Sequence, residues 1–153
     1  MKAAMDESIT RTFTTPEECE QLAVNVEARG KPELALEARR LAIELRAAAH
    51  GEKTAAEREA LEAVYAYERA MSALKDKKTR ASRTWQMIER RGIIQAVEVV
   101  VSRSTESAGY TTLVKMGLEK MAFEAVVLRH PDVFSAEAVA RSKQRLREWA
   151  ASE

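Results

Sequence analysis

The chain has 153 residues, 46% apolar and 32% charged, and carries a net charge of +1. That is the length of about one domain, and folding at this size hides roughly 68–70% of the unfolded chain's surface, so a core forms without covalent staples. It contains no apolar run of about 18 residues, no basic-then-apolar leader, and one cysteine, Cys19, with no partner for an internal disulfide or a CxxC site. A cytoplasmic protein without a membrane partner is expected, in which Cys19 is a small half-buried residue near a helix start.

Residues 1–14 (MKAAMDESITRTFT) show no period and are expected to form a mobile N-terminal arm, ahead of a single helical domain over 15–153. Thr15 then reads as an N-cap, with Pro16 at the first helical position and Glu17 and Glu18 facing the positive end of the helix dipole. This helix runs to Arg29 and stops at Gly30. A second begins at Pro32, carries Leu34, Ala38, Leu41 and Leu45 on one side, and ends at His50 and Gly51, which makes an antiparallel hairpin. The pair has the look of one tetratricopeptide-like unit, but it occurs once, and an array needs at least about three copies.

Thr54 with Glu57 fits a capping box and opens a third helix through Leu61, Val64, Tyr65, Tyr67, Met71 and Leu74. After a basic stretch closed by Gly92 comes GIIQAVEVVVS, whose length and neighbours favour a buried helix over a strand despite its β-branched content. SRSTESAGY reads as a polar loop, and LVKMGLEKMAFEAVVLRH as one or two helices with a break near Gly117, ended by Pro131. In the last helix Ser135 is the expected N-cap, Phe134 and Val139 form a hydrophobic staple, and Leu146 and Trp149 continue the apolar side. With 27 alanines and 5% aromatics, the fold class expected is all-α, a compact multi-helix bundle with an N-terminal helical hairpin and a C-terminal helical block.

Charge is distributed unevenly along this framework. Residues 1–74, which include the acidic hairpin plus third helix over 15–74, sum to −4, and residues 75–153, the basic segment and C-terminal helices, to +5. All of that excess lies in 75–91, where seven basic side chains meet only Asp76 and Glu89. On a helix over 80–91, at about 100° per residue, Arg80, Arg83, Arg90 and Arg91 share a sector of about 100° that also holds Met87. Ala81, Trp85 and Ile88 lie on another side. A helix that packs by Trp85 and Ile88 while presenting arginine to an anion is expected, with Trp85 as structural anchor. If Ser82 is the N-cap, Arg80 belongs to the preceding loop. Arginine suits phosphate because its planar fork donates paired hydrogen bonds and stays charged. The candidate nucleic-acid contacts are therefore Lys77, Lys78, Arg80, Arg83, Arg90 and Arg91, and the helix, Gly92 and next helix allow a helix-turn-helix reading. The alternatives are a basic face that pairs with acidic groups of the same fold or of another subunit, and one that is simply solvated.

The sequence leans away from an enzyme, and no catalytic residue, metal ligand or cofactor is assigned. Neither His50 nor His130 has a Glu three residues before it, and His130 with Asp132 reads as turn chemistry in RHPDVFS. The five glycines are too far apart for GxGxxG or GxxxxGKS. Asp76-Lys77-Lys78 lacks the acidic partners a metal-dependent nuclease requires, and no Ser, His and Asp triad is legible.

The block KTRASRTWQMIERRGIIQAVEVVVSR, followed by GYTTLVKMGLEKMAFEAVVLRHPDVFSAEAVARS and preceded by ECEQLAVNVEARGKPELALEARRLAIEL, resembles an uncharacterised bacterial helical family. Its members are sometimes found near nuclease or other DNA-processing domains. The resemblance covers about residues 15–149. It implies association with DNA and supplies no catalytic residues. Two functions follow: a helical nucleic-acid-binding module, DNA preferred, or a protein-interaction or homo-oligomerisation module docking through the hairpin.

Overall fold

The computed structural model describes residues 15–51, 54–103 and 108–151. The expected arm over 1–14 and positions 104–107 of the polar loop lie outside them. Among the described residues there are eight α-helices, one 3-10 turn and no strand, so the chain is all-α. It divides into two compact units, residues 1–51 and 52–153, which groups the third helix with the C-terminal elements.

The first unit is the hairpin of α1 (Pro16–Ala28) and α2 (Pro32–Ala48). Thr15 caps α1 as its sequence requires, its Oγ1 accepting the Glu18 N–H at 3.2 Å. Gly30 makes the turn with φ +78°, a conformation costly for a side chain. Cys19, Ala23 and Val26 repeat at helical spacing and pack against α2, whose buried face is Leu34, Ala35, Ala38, Ala42, Ile43 and Ala47. Leu41 and Leu45 are only half-buried, because small alanines let the two helices approach closely enough to make the alanine side the seam. Cys19 is fully buried rather than half-buried, and burial, followed by Glu18 and Glu20, raises its thiol pKa. On the surface Arg39 pairs with Glu27 and Arg46 with Glu20, so part of the hairpin's acidic charge is met by its own arginines.

In the second unit α3 (Ala55–Lys75) is the central element. Thr54 caps it by accepting the Glu57 N–H at 3.1 Å. Its buried residues Ala56, Ala60, Ala63, Ala66 and Ala70 give a nearly flat surface, punctuated by Leu61 and Val64. Against α3 pack α5 (Ile93–Ser102), α6 (Ala108–Lys115) and α7 (Phe123–Arg129). The valine-rich segment is indeed a helix. Gly92, at φ 87° and ψ 162°, ends α4 (Ser82–Arg91) and starts α5 in a single residue, which burial of Ile93, Ala96, Val97 and Val101 then locks in place.

Helix α6 starts at Ala108, inside the segment expected to be loop. Tyr110 stacks on Trp149 with ring centroids 5.3 Å apart, and Leu113 is buried, so tertiary packing overrides the weak helix propensity of Gly and Thr. The expected break falls at Gly117 (φ +71°), followed by a 3-10 turn over Glu119–Met121. Beyond α7, the Glu59 carboxylate receives the Arg129 Nε–H at 2.7 Å and lies 3.1 Å from His130 Nε2. Burial pushes the Glu59 carboxyl up, but the bonds and charges of Arg129 and His130 outweigh it and hold the group below its ordinary value. His130 therefore does more than turn the chain.

The last helix, α8 (Ala136–Ala151), is capped by Ser135, whose Oγ accepts the Ala138 N–H at 3.1 Å, and Phe134 before it is buried. Its most buried positions are Ala138, Ser142 and Arg145. Val139, Leu146 and Trp149, expected to form the apolar side, are only half-buried beside them. Among the described residues no helix is long and apolar enough to cross a membrane.

Candidate functional site

The basic stretch is held to α3 by two side chains one helical turn apart. Ser72 Oγ accepts the Thr79 N–H at 2.8 Å, and Glu68 Oε2 accepts both the Ala81 N–H at 2.8 Å and the Trp85 Nε1–H at 2.7 Å. The indole also packs on Tyr65, centroids 5.1 Å apart. Asp76 starts the connection in the left-handed conformation (φ 52°, ψ 36°), which turns the chain off the end of α3. A short polar side chain tolerates that conformation better than a branched one. Each step follows from a local residue choice, and together they give the stretch a defined path.

On this path Lys77, Lys78 and Arg80 lie in the connection, and Arg83, Arg90 and Arg91 on α4; all six are exposed. Ala81 is the N-cap position, so Arg80 is outside the helix, and its guanidinium stands 5.7 Å from the Trp85 ring centroid. Arg83 and Arg90 are seven residues apart and share a side of α4 to within about 20°. Trp85 is half-buried and bonded on its polar edge.

The separation of faces is less clean than the helical projection suggests. Met87, expected within the arginine sector, is buried at 9% exposure, and Thr84 at 8%. The inward side of α4 is centred on these two rather than on Trp85 and Ile88, because α4 packs mainly against α5 and not flat on α3. Arg103 from the end of α5 reaches Met87, Nη2 to Sδ 3.6 Å. Arg83 and Arg90 lie to one side of this buried strip on the helix and Arg91 at its last residue, and all three are exposed. Gly92 alone joins α4 to α5, whereas a helix-turn-helix uses a turn of about 3–4 residues, so that reading does not fit.

No described carboxylate forms an ion pair with any of the six basic side chains. Arg39, Arg46, Arg129 and Arg145, by contrast, each pair with a carboxylate. The sequence reading missed Glu68 and Ser72, which sit on α3 at i and i+4, on the side facing the basic stretch. Their spacing was visible, but their targets are backbone N–H groups whose positions depend on the turn at Asp76. It also missed Arg145, whose place three residues after Ser142 and seven after Ala138 marks it as inward-facing. Among the described residues no three His, Cys, Asp or Glu side chains gather in a way that could hold a metal ion. Comparison with protein-family models, curated proteins and solved structures finds no match.

Proposed function

We propose that the chain binds the phosphate backbone of nucleic acid, duplex DNA in preference to RNA, through the surface formed by Lys77, Lys78, Arg80, Arg83, Arg90 and Arg91. What supports this most is that the six side chains are exposed and unpaired with any described carboxylate, on a segment pinned by Glu68, Ser72 and Trp85. A solvated basic face needs no such pinning. A site for phosphates gains from it, because less side-chain and loop entropy is lost on binding. The resemblance to helical sequences found near DNA-processing domains directs the choice to DNA.

A ten-residue helix is about 15 Å long, and one DNA strand rises about 3.4 Å per phosphate, so α4 and the connection before it reach about four phosphates. Such a contact is weak and non-specific, and a dimer would strengthen it by doubling the surface. The test is fluorescence anisotropy of a labelled 30-base-pair duplex in about 50 mM salt. At that salt each neutralised phosphate contributes about tenfold in affinity through counterion release. Arg83→Ala with Arg90→Ala should therefore weaken binding about 100-fold, while Lys143→Ala with Arg147→Ala, exposed on α8, should leave it unchanged. Binding that is absent, or equally weakened by both pairs, overturns the proposal.

A further inference from the structure

The basic residues of α4 have a neighbour on another helix. Arg103 is the C-cap of α5, with φ −73° and ψ 150°, and its N–H is shared between the Val99 and Val100 carbonyls at 3.2 and 3.3 Å. These bonds fix its backbone at the helix end. Its side chain is exposed, and no described carboxylate pairs with it. An arginine at a helix C-terminus can serve its own helix, by meeting the last open carbonyls and the negative end of the dipole. Arg103 reaches across to α4 instead, where its Nη2 lies 3.6 Å from Met87 Sδ.

Met87 stands among the arginines of α4. Arg83 precedes it by four residues, and Arg90 and Arg91 follow it by three and four. Side chains at those spacings are neighbours, about 5–6 Å apart at Cβ. The contact therefore brings the Arg103 guanidinium beside the three on α4. Thioether sulfur is a weak acceptor and meets one N–H of the five a guanidinium carries, so it locates the group and leaves the charge available. Like charges gathered this closely repel one another, and a bound anion relieves that repulsion.

We infer that Arg103 is a seventh phosphate contact of the nucleic-acid surface, brought beside α4 by its contact with Met87. The inference rests on the nucleic-acid reading and adds that the surface spans two helices, α4 and the end of α5. Both ends of the contact are held in place, Met87 by burial and Arg103 by its backbone bonds, so little ordering is left for binding to impose. The planar fork of Arg103 then donates paired hydrogen bonds to a phosphate.

The test is fluorescence anisotropy of a labelled 30-base-pair duplex between about 50 and 200 mM salt. It compares wild type with Arg103→Ala, with Lys143→Ala, and with Arg83→Ala combined with Arg90→Ala. Arg103→Ala should weaken binding about tenfold at the lowest salt and reduce the slope of log affinity against log salt by about one. The urea midpoint should stay at the wild-type value, since the side chain removed is exposed. Lys143→Ala, exposed on α8, changes the net charge equally and should leave both affinity and slope unchanged. If Arg83→Ala with Arg90→Ala weakens binding and Arg103→Ala does not, the inference is overturned while the nucleic-acid reading stands. Equal losses with Arg103→Ala and Lys143→Ala also overturn it, and a wild-type protein that binds no duplex removes the reading and the inference together.

Discussion

Glu68→Ala removes one carboxylate oxygen that accepts two hydrogen bonds, from Ala81 N–H and from Trp85 Nε1–H. A hydrogen bond to a charged acceptor contributes about 1.5–3 kcal/mol, so the pair could reach about 6 kcal/mol in a dry interior. The site is only partly buried, and water can take over both donors once the carboxylate is gone. Alanine also returns a few tenths of a kcal/mol in helix propensity. The expected cost is about 2–3 kcal/mol. In urea, with a slope of about 2 kcal/mol/M, this moves the midpoint down by about 1–1.5 M. A sharper assay is amide exchange at Ala81, which should accelerate about 30- to 150-fold if α4 loosens locally. Glu68→Gln, which keeps one acceptor, should fall between wild type and alanine. If Glu68→Ala shifts stability by less than about 0.5 kcal/mol and Ala81 exchanges at the wild-type rate, the carboxylate does not hold the basic stretch in place.

Three further outcomes are expected. Arg145→Met strands Glu124 in the core and should cost about 3–5 kcal/mol by urea unfolding, whereas Arg145→Met with Glu124→Met should recover most of that loss. The depressed carboxyl of Glu59 contributes stability that is present above its ordinary value of 4.5 and is lost as pH falls through the lower folded value. Glu59→Gln should flatten that part of the acid-unfolding profile and leave the profile above about pH 6 unchanged in shape. Asp76→Gly should match wild type or raise stability by less than about 1 kcal/mol in thermal unfolding, while Asp76→Val, forced into the same left-handed conformation, should lower it by about 1–2 kcal/mol.

The helices whose ends carry their own chemistry were legible in the sequence. Thr15 with Pro16 and Thr54 with Glu57 announce their helices through local hydrogen bonds, and the structure forms the Thr15 and Thr54 caps. Ile93–Ser102 was legible as a helix because Gly92 and its length outweigh its β-branched content. The start of α6 was not, because what makes Gly109 and Tyr110 helical is a ring stacked on Trp149 nearly forty residues away. The alanine seam of α2 was half legible: small residues were seen to permit close approach, but the leucines beside them drew the expected core face. In the basic stretch the residue types and their exposure were legible and the inward side of α4 was not. A projection ranks residues by polarity, and Met87 is assigned to the core by α5, which the projection does not contain. Arg145 is the extreme case, since charge at a core position is intelligible only with Glu124 on another helix.

The central claim is that the exposed arginines and lysines between Lys77 and Arg91 meet phosphate. Its most direct test is the salt dependence of duplex binding, measured between about 50 and 200 mM. With about four phosphates neutralised, log affinity should fall against log salt with a slope of roughly −3 to −4, and Arg83→Ala with Arg90→Ala should reduce that slope by about two. A slope near zero, or one that the double substitution leaves unchanged, would contradict the account.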